Sequence, residues 1–287
     1  MNKYFVEIGV EEFPSRFIPS TKDQLKNNLE KLLREKEVSF EAIRVTSTPR
    51  RFAIWVDDIK SEDKVKEEIV RGPSAKAAFD QEGHPSKALE GFMKGKGISL
   101  DQIYTEDMGK GEYVFARIPK ARVSIESVLK EAVPEAIRQV TNPRAMRWGG
   151  KNLRFLRPIR WIVSLYNDQV LSFAFEGIPV GRITRGHRFL GSQEIEIQKI
   201  DDYEKVLEQN GVIVDEEKRR DIIVRGLNRE ARQFGGFPMK DPELLEEVVY
   251  IVEYPTVFVG KIPADYLSLP SITFSIPYPS PLRTDKK

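Results

Sequence analysis

An α+β fold in two subdomains is predicted for this 287-residue chain by three observations. Some segments alternate apolar and polar residues with period two, and others repeat apolar residues at helical spacing. The two kinds of segment follow no regular βαβ order, and no solenoid-length repeat is present. The sheets are therefore expected to be mixed and mainly antiparallel, with amphipathic helices packed on them. A first subdomain is expected over 1–140, a second over 141–270, and a loose tail over 271–287, where prolines at 277, 279 and 281 follow Pro270 and remove backbone donors.

The elements are justified in order. Tyr4 to Val10 reads as a strand, and Ser20 as the cap of a helix in which Leu25, Leu29, Leu32 and Leu33 share a face. Phe40 to Val45 and Arg51 to Ile59 pair as a hairpin around Ser47-Thr48-Pro49, because Phe52, Ile54 and Val56 fall on one side of a pleat. Lys60 to Glu68 is a charged excursion; a short helix from Ser74 to Phe79 and another from Ser86 to Lys94 follow, separated by the turn formers of DQEGHP. Tyr113 to Ile118 is a strand, and Ser124 to Val140 a helix that Pro134 should kink or break. Ile159 to Phe175 is an apolar hairpin turning at Asn167-Asp168. A strand at Glu194 to Ile197, helices at Asp201 to Gln209 and Asp215 to Phe234, a helix start at Asp241-Pro242 and a strand at Thr256 to Val259 complete the series.

Composition narrows the chemistry. With 46 Lys and Arg against 44 Asp and Glu, the chain has no overall basicity, so any polyanion site must be a local patch. There are no cysteines and 2 histidines, which excludes disulfides, thiolate zinc sites and a cysteine nucleophile, and disfavours a histidine-rich metal site. The acidic start MNKYFVEIGVEEF lacks a signal-peptide core, and no run approaches a membrane span, so a cytoplasmic protein without membrane contact is expected. No phosphate loop, nucleophile elbow, dinucleotide fingerprint or HExxH motif occurs. No catalytic residue and no metal ligand is assigned.

Arg144 to Arg160, RAMRWGGKNLRFLRPIR, contains Arg144, Arg147, Lys151, Arg154, Arg157 and Arg160 and no acid. Such a run can neutralise phosphates, with Trp148 offering a stacking face; equally, Trp148 and Phe155 can be core anchors whose arginines solvate a loop. RITRGHR at 182–188 adds Arg185 and Arg188 around a tight turn at Gly186. Glu7, Glu11 and Glu12 leave one strand together and can serve as an acid/base pair, or as ordinary caps and ion-pair partners.

In order along the chain, VEIGVEEFP (6–14), TPRR (48–51), RGP (71–73), KAAFD (76–80), MRW (146–148), FLRPIRW (155–161) and TRGHRF (184–189) resemble the β subunit of bacterial glycine–tRNA ligase. The resemblance covers residues 1 to about 270 and only the amino-terminal portion of that family. It implies an α2β2 enzyme in which the α subunit carries the ATP-dependent aminoacylation site and β recognises tRNA(Gly) and supports assembly. No cofactor is then expected in this chain. After Leu269-Pro270 the sequence departs from the family pattern, and a fragment or altered terminus is expected.

The first expectation is thus a non-catalytic portion of the β subunit that holds tRNA through Arg144, Arg147, Trp148, Lys151, Arg154, Arg157, Arg160, Arg185 and Arg188. Its rival is a scaffold whose basic clusters dock on protein and never meet RNA. A third reading is an editing-type hydrolase, for which Glu7, Glu11 and His187 must share one pocket.

Overall fold

The structure, a computed structural model, describes residues 1–61, 67–80, 83–107, 109, 111–119, 124–149, 152–260 and 263. It is an α+β fold of two compact units: residues 1–61 with 125–287, and residues 62–124. The division expected near residue 140 does not coincide with these limits. The reason is strand pairing across it: residues 4–10 are hydrogen-bonded to 159–166, so stretches on either side of residue 140 share one sheet. The expected tail at 271–287 and Lys151 lie outside the described residues.

The elements of the first unit begin with β1 (Tyr4–Val10), α1 (Ile18–Glu35), β2 (Val38–Ser39), β3 (Ala42–Thr48), β4 (Arg51–Asp57) and β5 (Lys60–Ser61). The second unit contributes β6 (Glu67–Ser74), α2 (Ala75–Ala78), α3 (Lys87–Lys96), β7 (Ile103–Asp107) and β8 (Glu112–Pro119). The first unit resumes with α4 (Ile125–Arg138), β9 (Met146–Arg147), β10 (Arg154–Phe155), β11 (Ile159–Tyr166) and β12 (Gln169–Val170). It ends with β13 (Val180–Gly181), β14 (Ile183–Thr184), β15 (Ile195–Glu196), α5 (Tyr203–Gln209), α6 (Glu216–Gln233) and α7 (Pro242–Ile251).

The main sheet runs β12-β11-β1-β4-β3, antiparallel throughout, with β13 added in parallel to β11. Every residue of β1 is buried, because both faces of this central strand are covered. Tyr4, Val6, Ile8 and Val10 point to a core with Leu25, Leu29 and Leu33 of α1 and Val128, Leu129 and Ala132 of α4. Phe5 points the other way, to a second core with Trp55, Trp161 and Val163 and with Tyr203 and Leu207 of α5. Each fully buried leucine or phenylalanine contributes about 1.5–3 kcal/mol, so the two cores, rather than local propensity, hold these helices in place.

Four sequence expectations need correction. No side chain caps α1, which starts at Ile18 with Pro19 in its first turn; Ser20 lies inside the helix. Helix α4 continues through Pro134, which is buried, as are Val133, Ala136 and Ile137 beside it in the helix, so packing outweighs the lost backbone donor. The hairpin after β11 keeps only Gln169–Val170 as strand. Residues 256–259 form no strand. By contrast α3 starts where the helix from Ser86 was expected, and Ser86 itself caps it, accepting from the amides of Ala88 and Leu89.

The second unit is a three-stranded antiparallel sheet, β6-β8-β7. Ala78, Leu89 and Val114 form its small core with Phe79, Phe92, Met93 and Ile103. Strands β6 and β7 were absent from the sequence reading because their charged residues mask the alternation.

Candidate nucleic-acid interface

The basic run at 144–160 folds as a short ribbon. Arg154 faces Arg147 and Phe155 faces Met146 across β9 and β10. Phe155 is buried in the main core and anchors the ribbon, while Met146 stays exposed. Trp148 is half-buried, and its indole N–H donates to the Phe155 carbonyl at 2.9 Å, so this ring fixes the ribbon and keeps only part of its face for a ligand. Phe155 is therefore a core anchor, and Arg144, Arg147 and Arg154 beside it reach solvent.

The arginines divide by partner. Arg144 and Arg147 are exposed, and Arg154 donates to the Ala145 carbonyl at 3.1 Å. Arg157 is held by two backbone carbonyls, Nε to Glu12 at 3.0 Å and Nη1 to Leu156 at 3.1 Å. Arg185 lies over the Trp161 ring, 4.9 Å from its centroid. Among the described residues none of these five arginines has a carboxylate partner. Arg160 and Arg188 differ, because Glu11 pairs with both, at 3.3 and 3.1 Å, and Glu12 pairs with Arg188 at 3.3 Å.

Folding thus brings 157 and 188, distant in sequence, to one cleft, which Arg50, Glu12, His187, Phe189, Glu253 and Tyr254 also line. Arg154 lines a different cleft, beside Arg138 and Asn152. Arg144 and Arg147 border neither. The turn at Gly186 is forced by close approach: a Cβ there would sit 2.9 Å from the Ser192 carbonyl oxygen and 3.0 Å from that of Asn210. Its amide donates to Ser192 O at 2.7 Å, which closes the loop and holds out Phe189, 85% exposed.

Beneath this surface lies a charged network that sequence reasoning missed. Glu7, wholly buried, accepts from Thr184 at 2.6 and 2.9 Å and from the Trp161 indole and the Tyr203 hydroxyl. Arg51, also wholly buried, lies 3.9 Å from Glu7 and donates to Glu253 at 3.1 Å. Glu253 in turn accepts from Thr48 at 2.7 Å and lies 3.7 Å from Arg50. Two carboxylates and two guanidiniums balance each other, which lets four charges remain inside. Burial alone would lower Arg51, but Glu253 and Glu7 raise its pKa above the ordinary value. Burial raises Glu253, yet Arg51, Thr48 and Arg50 outweigh it and hold the carboxyl below its usual range. Tyr203 is pushed well up by burial and then by the Glu7 charge. The available signal was Arg50-Arg51 in a tight turn between two apolar strands, a place where charge needs a buried partner.

The hydrolase constellation does not form. Glu7 is closed inside this network and does not line the cleft that His187 lines, and Glu11 is engaged by Arg160 and Arg188. His187 Nδ1 accepts from the amides of Phe189 and Leu190 at 3.3 and 3.2 Å, a loop-stabilising role. Among the described residues no group of three acids or histidines is placed to hold a metal ion, and no helix is long and apolar enough to cross a membrane.

A second tie fixes the carboxyl-terminal helices. Arg219, wholly buried on α6, donates to the carbonyls of Val249, Ile213, Val214 and Ser47 at 3.0, 2.7, 3.0 and 2.8 Å. Burial pushes its pKa down to about 10, outweighing the nearby charges of Glu216, Glu253 and Asp215 that raise it. This clamp holds α7 and the following Glu253 against the β3–β4 hairpin.

Residues 4–276 match the family described as glycyl-tRNA synthetase beta subunit. The chain belongs to that family. It is 47% identical over 269 residues to the glycine–tRNA ligase beta subunit of Clostridioides difficile (strain 630), covering 94% of this chain and 39% of that protein. The corresponding subunit of Thermodesulfovibrio yellowstonii is 40% identical over 270 residues, with 94% of this chain and 40% of the relative covered. That of Halothermothrix orenii is 36% identical over 264 residues, or 92% and 38%. The chain therefore spans about two fifths of the length of these curated relatives. The family match runs a few residues beyond Pro270, where the sequence resemblance was expected to end.

Proposed function

We propose that this chain is a tRNA-binding and assembly portion of a heteromeric glycine–tRNA ligase, acting in ATP-dependent glycyl-tRNA formation during translation in the cytoplasm. It holds tRNA(Gly) through Arg144, Arg147, Arg154, Arg157 and Arg185, with Arg160, Arg188, Trp148 and Lys151 as further contacts. ATP and the aminoacylation chemistry belong to the α subunit, and a second β chain completes the assembly. The observation that carries this reading is the set of five arginines without carboxylate partners among the described residues, in a protein whose net charge is only +2. Charge left uncompensated on one unit of a nearly neutral chain is positioned for a polyanion.

Salt titration of tRNA(Gly) binding tests it. Each phosphate contact releases counterions, so the Arg147→Gln, Arg185→Gln double variant lowers the slope of log affinity against log salt by roughly one to two units. Unchanged affinity and slope would remove these residues from the surface.

A second reading, docking on the partner subunit, is supported by a separate observation. Phe237, Met239 and Phe258 are 73%, 53% and 78% exposed, and Met239 and Phe258 border an apolar cleft between α6 and α7. Binding of the α subunit that survives excess polyanion assigns docking to this face and leaves the arginines to RNA.

A further inference from the structure

The cleft at the end of β1 has a volume of about 470 Å³ and is lined by Pro49 and Arg50 of the β3–β4 turn, Arg157, the 187–189 loop and the segment 251–254 after α7. Its size suits a single small-molecule group. The Arg50 side chain is only 8% exposed and incompletely satisfied. Nη1 reaches the Gly186 carbonyl at 3.3 Å, the nearest Glu253 oxygen stands at 3.7 Å, and the buried Nε–H has no acceptor. Polar groups are rarely left so inside a protein.

Arg157 strengthens the case. Two backbone carbonyls fix its guanidinium while no carboxylate among the described residues neutralises it. The Glu7, Arg51, Glu253 and Arg50 charges cancel as a group, and Arg188 is offset by Glu11 and Glu12, so the charge of Arg157 is surplus at the cleft. His187 adds a donor: its Nδ1 accepts from two amides, which leaves the proton of the neutral ring on Nε2. Flanking these donors are the aromatic rings of Phe189 and Tyr254, 85% and 45% exposed. A surplus guanidinium and a buried N–H without an acceptor, beside open aromatic faces, match the chemistry of a phosphate carrying an unstacked base.

We propose that this cleft is a nucleotide site for single-stranded RNA, in which Arg157 and Arg50 receive the phosphate and Phe189 and Tyr254 flank the base. The proposal deepens the tRNA-binding reading and rests on it for the source of the nucleotide.

The test titrates the full chain with inorganic phosphate, AMP, a single-stranded RNA hexanucleotide and tRNA(Gly) in parallel. The hexanucleotide is expected to bind more tightly than AMP, AMP more tightly than phosphate, and tRNA to displace the hexanucleotide. Arg157→Gln is expected to weaken hexanucleotide binding about tenfold or more, as loss of a charge-assisted contact does, and Phe189→Ala to weaken it by about fivefold or more through lost stacking. Both positions are outside the cores, and Arg225→Gln, an exposed α6 residue that pairs with Asp221 and does not line the cleft, serves as the control that leaves hexanucleotide binding unchanged. Hexanucleotide binding that is absent, or equal for the wild type and Arg157→Gln, overturns the cleft proposal even where tRNA still binds and the arginine surface survives. Phosphate or AMP binding as tightly as the hexanucleotide also overturns it, in favour of a free anion or mononucleotide. Hexanucleotide binding that responds to both variants while tRNA does not bind supports the cleft and sinks the tRNA reading.

Discussion

Replacing Glu253 by glutamine removes one charge from the buried network while keeping the side chain's shape. Glutamine's oxygen still accepts from Thr48 and Arg51, at the 2.7 and 3.1 Å positions now held by the carboxylate. Its amide, however, sets a donor against the Arg50 guanidinium, 3.7 Å from the other carboxylate oxygen, and leaves a buried positive charge in excess. Breaking a buried pair from one side costs about 3–5 kcal/mol, and the retained hydrogen bonds place Glu253→Gln near the lower end. With a urea slope of about 2–3 kcal/mol/M, a loss of about 3 kcal/mol lowers the unfolding midpoint by about 1–1.5 M. Tryptophan fluorescence is the assay, because Trp55, Trp148 and Trp161 all lie in the unit that holds the network. Glu204→Gln is the control: its pair with Arg44 is about half exposed on both sides and contributes about 0.2–1 kcal/mol. If Glu253→Gln shifts the midpoint no more than Glu204→Gln, the network is not a stabilising clamp and the argument fails.

Three further outcomes are expected. Because Glu253 is held below its ordinary value of 4.5, the stability it contributes is present above that value and is lost as pH falls through the lower folded value; the stability gap between wild type and Glu253→Gln measured by urea unfolding should therefore narrow as pH falls below about 4.5, and a constant gap contradicts the assignment. Gly9→Ala puts a Cβ 2.0 Å from the Trp161 ring, whose indole is bound to Glu7; overpacking of this kind costs about 1–3 kcal/mol, and calorimetry should show a lower melting temperature. Asp215→Ala removes the side chain that accepts from the Lys218 amide at the start of α6 and should cost about 1 kcal/mol in urea unfolding.

Much of the scaffold was legible in the sequence. The span of β1, the β3–β4 hairpin and the helix that starts at Ser86 followed from alternation, turn chemistry and apolar spacing, all of which act over a few residues. The family followed from short motifs in order. Pro134 shows the limit of local rules: its cost was visible, but its burial in the folded protein was not.

The sequence by itself determined the α+β class, the positions of the main helices and strands, the family, and the presence of arginine-rich segments at 144–160 and 182–188, because each depends on near neighbours along the chain. Only the tertiary structure decided the partners of those arginines. Glu11 neutralises Arg160 and Arg188 from about 150 or more residues away, while Arg157 meets only carbonyls. The network of Glu7, Arg51 and Glu253 likewise joins three separated stretches. Electrostatic energy depends on distance and burial in space, and neither quantity is written in the spacing of residues.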